Sequence, residues 1–308
     1  MIVYTQLETV ATDLGLPLSM LFSVSNALSD HYKTVEIPKR SGGVRRLRVP
    51  DACLKKIQRR INDVLLSQMR VSEYATAYHY GCKLVKNAKP HVGGGTLLKL
   101  DIKDFFDSVL YCQVKKYAFP ESRYSEKLRI LLSVLCYFKE SLPQGAPTSP
   151  AISNIIMFDF DETVGKWCKE NGIAYTRYCD DMTFSGELDP AKVIGKVKKE
   201  LKKYGFILNR SKIRVIGKGS RQCVTGITVN EKLSVPIAYR EQIRKEIYYL
   251  NKYGLDSHLE KIGYVGNADS YLRSLAGRIN HVLTVTPDNA EMCRYAVTVN
   301  GQIRKKDN

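Results

Sequence analysis

No apolar stretch in this sequence is long enough to cross a bilayer. The longest, Ile130 to Phe138, includes Ser133, whereas a membrane-spanning helix needs roughly 20 apolar residues. The first residues, Met1 to Thr5, also lack the basic start and apolar segment of a secretion signal. We therefore expect a cytoplasmic protein with no membrane partner, and we interpret residues 130–138 as a buried helix.

Cysteine pairs with disulfide or zinc spacing are absent as well. No Cys-x-x-Cys occurs, and no histidine lies near a cysteine at the spacing of a zinc site. A disulfide scaffold and a zinc centre are both excluded on this basis. There is also no internal repeat, which excludes a solenoid. The eight cysteines are therefore interpreted as mostly small buried side chains: 53, 82, 112, 136, 168, 179, 223 and 293.

Acidic residues are in short supply relative to basic ones. The chain has 48 Lys plus Arg against 31 Asp plus Glu, a formal net charge of +17. An excess of this size in a globular chain indicates a polyanionic partner. Nucleic acid is the first candidate and an anionic membrane surface the second.

Positive charge is concentrated in identifiable elements. Residues 37–50 predict two short strands around a Ser41-Gly42-Gly43 turn, with basic side chains on the second strand. Residues 54–65 carry apolar positions at helical spacing with Lys and Arg between them, which predicts an amphipathic helix. A lysine-rich helix over 193–204 is most simply a solvated face. After Pro236 the pattern turns helical again and predicts a small C-terminal helical subdomain.

Three aspartates occupy positions typical of a catalytic site. A short apolar strand over residues 96–100 leads directly into Asp101. Strand-like runs on either side of Asp180 and Asp181 predict a hairpin with these acids at its tip. If the strand end and the hairpin tip converge, three carboxylates repel one another unless cations bind them. Asp104 and Asp107 compete for this role and are interpreted as supporting or surface groups.

The cofactor expected for such a cluster is magnesium. Two ions roughly 3.5–4 Å apart serve in-line phosphoryl transfer, one activating the attacking hydroxyl and the other neutralising the triphosphate. We therefore predict that Asp101, Asp180 and Asp181 are both the catalytic residues and the ligands of two Mg²⁺ ions, for which Mn²⁺ can substitute.

Three ordered segments resemble the central motifs of bacterial reverse transcriptases. They are Leu-Lys-Leu-Asp-Ile-Lys-Asp-Phe-Phe at 98–106, Leu-Pro-Gln-Gly-Ala-Pro-Thr-Ser-Pro at 142–150 and Tyr-Thr-Arg-Tyr-Cys-Asp-Asp at 175–181. Asn-Ala-Lys-Pro-His at 87–91 and Val-Thr-Gly at 224–226 further resemble two signatures of retron enzymes. One departure is Cys179, where retron enzymes usually carry Ala.

The resemblance implies an α+β right-hand polymerase with fingers, a palm of antiparallel sheet plus helices, and a helical thumb. We expect the fingers over residues 1–95 and the palm over 96–225. A fingers segment would be inserted in the palm at about 111–150, and the thumb would cover 226–308.

Roles in nucleotide binding follow from the same resemblance. Gln144 and Gly145 would floor the nucleotide pocket, where a residue larger than Gly would block the incoming base pair; a plain loop is the alternative. Arg45 matches the fingers arginine that grips the triphosphate, a role suited to the planar fork of guanidinium donors. Arg46 and Arg48 are close rivals.

The resemblance implies further roles for Phe106, for Lys212 and for the turn at residues 224–226. Phe106 matches the aromatic gate that excludes a 2′-hydroxyl, although a core aromatic is the alternative. Lys212 resembles the late-palm lysine that can protonate the departing pyrophosphate, unless it is a solvated lysine. The resemblance assigns RNA binding to Val224, Thr225 and Gly226.

The function implied is RNA-directed DNA synthesis on a structured cognate non-coding RNA, leaving RNA-linked single-stranded DNA (msDNA). dNTPs are the substrates. The family further implies anti-phage defence with a separate effector protein. Three alternatives stay open: another bacterial defence or intron-type reverse transcriptase, a non-catalytic RNA-binding scaffold with a polymerase fold, and a palm-fold nucleotide cyclase.

Overall fold

The computed structural model describes residues 2–38, 42–79 and 81–307, with side chains as far as residue 303. The chain forms two compact units. The first comprises Met1–Cys82 and Leu98–Val215, and the second comprises Lys83–Leu97 and Ile216–Asn308. The sequence-based prediction placed residues 1–95 together and did not anticipate that residues 83–97 join the C-terminal residues. The bounds of fingers, palm and thumb stay predictions.

Helices dominate both units. The α-helices, in chain order, are α1 Leu7–Leu14, α2 Leu18–Asn26, α3 Ala52–Val64, α4 Leu84–Ala88, α5 Tyr111–Gln113, α6 Glu126–Cys136, α7 Ser149–Ile156, α8 Phe158–Glu170, α9 Pro190–Lys202, α10 Ile237–Tyr253, α11 Leu255–Lys261, α12 Ala268–Val285 and α13 Ala290–Asp307. A π-helical turn, Val114–Ala118, follows α5. Short 3₁₀ helices lie at Leu28–His31, Leu66–Gln68, Lys89–His91, Phe106–Ser108 and Arg210–Lys212.

The strands form one four-stranded sheet and two separate hairpins. They are β1 Tyr32–Pro38, β2 Val44–Pro50, β3 Thr96–Asp101, β4 Ala174–Tyr178, β5 Asp181–Gly186, β6 Arg214–Ile216, β7 Cys223–Val224 and β8 Ile227–Thr228. The four-stranded sheet has the order β4-β5-β3-β6, and β1-β2 and β7-β8 pair separately. Strand β3, which ends in Asp101, therefore lies beside the β4-β5 hairpin.

The predicted basic hairpin and the helix after it are both confirmed. β1 and β2 pair antiparallel along their whole length. Gly42 and Gly43 have φ of 86° and 82°, which glycine adopts without strain; Ser41 lies outside the described residues. Helix α3 begins where the Asp51 carboxylate accepts the Leu54 backbone N–H at 2.8 Å, an N-cap.

The sheet of the first unit shares one apolar core with the helices around it. Leu98 and Leu100 of β3 and Met182 and Phe184 of β5 are at most 1% exposed. They belong to the same buried cluster as residues of α3, α6, α8 and α9. Burying such large side chains stabilises the sheet by about 1.5–3 kcal/mol each. The strand end at Asp101 is thus held on a rigid base.

The second unit has its own core. Val224 of β7, Ile247 of α10 and Leu275 of α12 are at most 2% exposed and belong to one cluster. The β7-β8 hairpin closes through Thr225 and Gly226 with φ of 45° and 85°, the positive values that a two-residue hairpin turn favours. The helical C-terminal pattern predicted after Pro236 is confirmed by α10 to α13.

Helix length and composition were compared with those of membrane-spanning helices. Within residues 2–38, 42–79 and 81–307, no individual helix is both long and apolar enough to traverse a membrane. Helices α1 and α2 pass that test when taken together, but they are bent by 98° at their junction.

Candidate active site

Backbone hydrogen bonds at Asp101 and at Lys103 hold the end of β3 in place. The Asp101 carbonyl oxygen accepts the Asn209 N–H at 2.8 Å, and the Lys103 N–H donates to the Ile207 carbonyl at 2.8 Å. The carboxylate is only 4% exposed. The Lys212 ammonium donates to Asp101 Oδ2 at 2.7 Å. The structure therefore joins Asp101 and Lys212, two residues predicted separately from the sequence.

The β4-β5 hairpin carries the other two acids, Asp180 and Asp181. Tyr178 pairs with Asp181, so Cys179 and Asp180 form a two-residue turn and Asp181 begins β5. Cys179 has a φ of 61°, which is uncommon for a residue with a side chain. The Asp180 carbonyl accepts the Ile102 N–H at 3.1 Å. This bond attaches the hairpin tip to the residue after Asp101.

Asp101 and Asp181 have acidic neighbours close enough to affect their ionisation. Burial and the nearby Asp180 raise the pKa of Asp101, while hydrogen bonds from Lys212 and Asn209 oppose the rise. Desolvation, Asp180 and Asp101 likewise raise the pKa of Asp181. Asp181 is exposed at its surface, yet the protein atoms around its carboxylate still desolvate it. A cluster with raised carboxylate pKa values is typical of a site that binds cations.

The residues fit a hard divalent cation by their chemistry. Carboxylate oxygens are the ligands that Mg²⁺ prefers, and the three acids repel one another. Within the described part of the chain, however, no three His, Cys, Asp or Glu side chains form a ready-made ligand set. One oxygen of Asp101 is held by Lys212, whose own pKa is raised by that hydrogen bond. The lysine thus supplies countercharge to the cluster.

Lys99 is a charged neighbour that the sequence did not single out. It lies two residues before Asp101 on β3 and therefore on the same face of the strand. Its positive charge opposes the rise in the Asp181 pKa. The i, i+2 spacing in a strand is the signal that could have identified it.

The loop at 144–145 is attached to the basic hairpin. The Arg48 N–H donates to the Gln144 carbonyl at 2.9 Å. Gly145 has a φ of 126°, and a Cβ there would lie 3.0 Å from the Arg48 carbonyl oxygen. The Gln144 amide donates to Asp107 Oδ2 at 3.2 Å. Asp107 therefore touches the predicted nucleotide pocket, in a supporting position.

The three rival arginines of β2 differ in what they contact. The Arg48 guanidinium donates to the Phe138 and Lys139 carbonyls and to Ser141 Oγ, at 2.7–3.0 Å. Arg46 pairs with Glu36 at 3.0 Å. Arg45 is exposed, and its side chain makes no hydrogen bond or ion pair with the residues that the structure describes. Of the three, Arg45 has its donors available for a ligand.

Phe106 lies between core and surface. It begins the 3₁₀ helix Phe106–Ser108 and is half-buried, with its ring centroid 5.6 Å from that of Phe105. Phe105 is 3% exposed. The Phe106 carbonyl accepts the Leu142 N–H at 3.1 Å. Phe106 is thus fixed next to the segment that leads to Gln144.

The two short retron-like segments meet in the second unit. The Asn87 amide, 1% exposed, donates to Thr225 Oγ1 at 3.3 Å. Val224 is fully buried, whereas Thr225 is half-buried and Gly226 exposed. An RNA contact at this turn would therefore involve Thr225, Gly226 and the backbone, not the Val224 side chain.

The lysine-rich face of α9 is partly neutralised. Glu200 is 4% exposed and pairs with both Lys196, at 3.0 Å, and Lys203. The remaining lysines of this helix face solvent, as Lys198, Lys199 and Lys202 do. This arrangement agrees with a solvated face.

Comparison with known proteins gives a consistent result. The family model described as reverse transcriptase (RNA-dependent DNA polymerase) matches residues 37–262. The chain is 33% identical over 309 residues to the retron Mx65 reverse transcriptase of Myxococcus xanthus, covering 92% of this chain and 69% of that protein. It is 36% identical over 266 residues to the retron Ec83 reverse transcriptase of Escherichia coli, covering 80% and 81%.

Among solved structures, apo telomerase from Candida tropicalis is similar with a TM-score of 0.50 and 14% identity. The match covers 89% of this chain and 58% of the telomerase chain. At this identity the likeness concerns the fold alone.

Proposed function

Because the chain belongs to the retron reverse transcriptases, and is thus an RNA-directed DNA polymerase with a right-hand fold, we propose that it copies a structured cognate non-coding RNA into single-stranded DNA that stays linked to the RNA. The observation that carries the proposal is the hydrogen bond from the Ile102 N–H to the Asp180 carbonyl, which joins the Asp180–Asp181 turn to the residue after Asp101; burial and neighbouring acids raise the pKa of Asp101 and of Asp181. A structural surface gains nothing from three acids that repel one another.

Two magnesium ions are the proposed cofactors, with Mn²⁺ able to substitute. Asp101, Asp180 and Asp181 would hold them, and when bound they activate the attacking hydroxyl and neutralise the triphosphate. Lys212 carries a proton on Nζ beside this cluster, which suits it to protonate the departing pyrophosphate. Its positive charge also offsets the negative charge of the three acids.

The other predicted residues have complementary tasks in binding the dNTP. The exposed guanidinium of Arg45 would grip the triphosphate. Gln144 would face the incoming base pair from a loop held by Arg48, and Phe106 would lie beneath the sugar. Support comes from the hydrogen bonds that join these segments in the first unit.

For the RNA partner, we propose that the turn at Thr225 and Gly226, held by Asn87, contributes to recognition of the cognate RNA.

We also propose a role in anti-phage defence together with a separate effector protein. Plaque counts on cells that carry the native operon test this role. Protection should disappear when the acids are replaced, and equal protection by an inactive enzyme would contradict it.

The decisive experiment replaces Asp180 and Asp181 together by Asn. The variant keeps the shape of the turn but loses the charge that offsets two divalent cations. We expect primer extension to fall by at least 10³-fold, the order of the loss when one transition-state electrostatic contact is removed, while RNA binding stays within a factor of two. Glu187→Gln, an exposed acid just beyond β5, is the matched control and should keep full activity.

The same assay separates the rival functions. Extension by the wild-type enzyme on a primed RNA excludes a non-catalytic scaffold, and full-length DNA from the double variant would contradict the proposed mechanism. Sequencing the nucleic acid that copurifies with the chain distinguishes a retron from another bacterial reverse transcriptase. A branched molecule joining RNA and DNA is the result expected here.

A further inference from the structure

A fully buried ion pair lies directly beneath the turn that carries Asp180. Arg177 on β4 and Asp161 on α8 are both 0% exposed. The guanidinium Nη2 donates to Asp161 Oδ2 at 2.6 Å, and Nε donates to Oδ1 at 2.9 Å. The Tyr175 hydroxyl donates to the same carboxylate at 2.8 Å. Both charges are therefore fully satisfied inside the first unit.

Stabilisation of the fold does not by itself explain why this ion pair is buried. Removing two charges from water costs several kcal/mol per ion, and apolar residues of similar volume are often equally stable in such positions. One donor of Arg177 is not used by Asp161 at all. Its Nη1 donates to the Cys179 carbonyl at 2.8 Å.

That carbonyl belongs to the peptide unit that joins Cys179 to Asp180. A peptide unit is planar, so fixing its oxygen fixes ψ of Cys179 and φ of Asp180 together. Those two angles set the direction in which the Asp180 side chain leaves the backbone. Cys179 already has a φ of 61°, a conformation that persists only where the surroundings enforce it.

Arg177 is itself immobilised by its backbone as well as its side chain. Its N–H donates to the Tyr74 carbonyl at 2.7 Å, and its carbonyl accepts the Thr76 N–H at 2.8 Å. On the other side of the turn, the Asp180 carbonyl accepts the Ile102 N–H. The turn is therefore held at two consecutive carbonyls, one by the Arg177 side chain and one by the backbone N–H of the residue that follows β3.

We infer that Arg177 is a positioning residue for the catalytic turn, and that Asp161 serves to hold its guanidinium in place. Arg177 touches neither substrate nor the reacting atoms. It acts through the Cys179 carbonyl on the orientation of Asp180. The inference rests on the proposed function, because it assigns a role to a group behind the proposed metal ligands.

The test uses the full-length chain with Arg177→Met and Asp161→Leu combined, which removes both buried charges and the bond to Cys179 while keeping the volume. We expect kcat for dNTP addition to fall at least tenfold, with the KM for dNTP and the affinity for RNA changed less than threefold. Val164→Ala, another fully buried position on α8, removes packing without touching the ion pair and should leave kcat within a factor of two.

Arg177→Lys is the second variant. It keeps a positive charge for Asp161 but lacks the fork that also reaches Cys179, so we expect a folded enzyme with a similar loss of kcat. It also serves if the double variant fails to fold. A folded variant of either kind with wild-type kcat would overturn the inference.

Amide hydrogen exchange provides a readout that does not depend on activity. The Ile102 N–H, which donates to Asp180, should exchange at least tenfold faster in both Arg177 variants, while amides of α6 keep their protection. Unchanged exchange at Ile102 would also overturn the inference. If the wild-type enzyme extends no primer, the proposed function fails, whereas the exchange result still decides the role of Arg177.

Discussion

The proposed position of Phe106 beneath the sugar can be tested through one atom of the substrate, the 2′-oxygen of a ribonucleotide. If the half-buried ring lies under the sugar, a 2′-oxygen must overlap it, and close-packed groups resist an added atom at a cost of about 1–3 kcal/mol. Phe106→Ala should therefore raise ribonucleotide incorporation about tenfold or more, since about 1.4 kcal/mol corresponds to a factor of ten. The measurement is the ratio of kcat/KM for matched deoxy- and ribonucleotides on one primed template.

Phe105→Leu is the control for this experiment, because Phe105 is 3% exposed and packs in the core. It should cost stability without changing sugar discrimination. If Phe106→Ala remains active and its ratio equals that of the wild type, Phe106 is core packing and another residue forms the gate.

His91 predicts a specific dependence of stability on pH. It is fully buried, and burial lowers its pKa to about 4 from an ordinary value of 6.5. Between these values the unfolded chain binds a proton that the folded chain does not, so stability is complete above about pH 6.5 and falls as the pH falls towards 4. The full loss is roughly 3 kcal/mol, at 1.36 kcal/mol per pKa unit.

Urea unfolding at several pH values between 4.5 and 7.5 measures this effect. The difference in unfolding free energy between wild type and His91→Gln should shrink or change sign as the pH falls, because Gln does not titrate there. Parallel curves for the two proteins would show that His91 does not carry the dependence.

The sequence singled out residues that a motif surrounds and passed over residues whose proposed role depends on a distant partner. Asp101 and Lys212 were each identified, but their hydrogen bond joins positions far apart in the chain. Arg177 gave no signal, because a charged residue in a strand is ordinarily exposed and Asp161 lies on another element. The choice among Arg45, Arg46 and Arg48 likewise depends on which donors the fold already uses.

Gly145 allows the predicted nucleotide loop to pack closely against strand β2. Its φ of 126° and the Arg48 carbonyl 3.0 Å from a built Cβ make Gly145→Ala strained and crowded against backbone, at a cost of about 1–3 kcal/mol. We expect kcat/KM for dNTP to fall roughly tenfold or more, mainly through KM, in steady-state primer extension. Gly195→Ala in α9 has open space and no positive φ and should keep full activity; equal effects of the two changes would contradict this role.

Elements with a strong local period were predicted successfully. Helix α3, the β4-β5 hairpin and helix α10 all appear where apolar spacing indicated them. Strand β6, Arg214–Ile216, was missed because it has three residues, of which two are exposed. Such a strand exists only through its pairing in the sheet, which no local pattern reports.

Because the chain forms two compact units, a swap meant to transfer RNA specificity between related enzymes should move the whole second unit. A swap beginning at residue 226 cuts the β7-β8 hairpin in its turn and replaces Gly226 and β8 while β7 and Thr225 stay native. A swap of 83–97 together with 216–308 moves the whole second unit. We expect the second chimera to fold and to prime on the RNA of the donor enzyme, scored by sequencing the DNA product.

The single-segment chimera is the control and should show a lower melting temperature, since Ala88 and Val224 then pack against foreign residues from position 226 onward. If the two-segment chimera is folded and active but still selects the original RNA, the second unit does not determine template choice.

The association of residues 83–97 with the C-terminal residues also has a consequence for synthesis of the chain on the ribosome. These residues emerge early, but their partners begin at Ile216. At translation rates of about 5–20 residues per second, the wait is on the order of ten seconds. During it, apolar side chains such as Ala88 and Leu97 lack the cluster in which they end up. Nascent chains stalled before residue 216 should therefore bind chaperones through this segment.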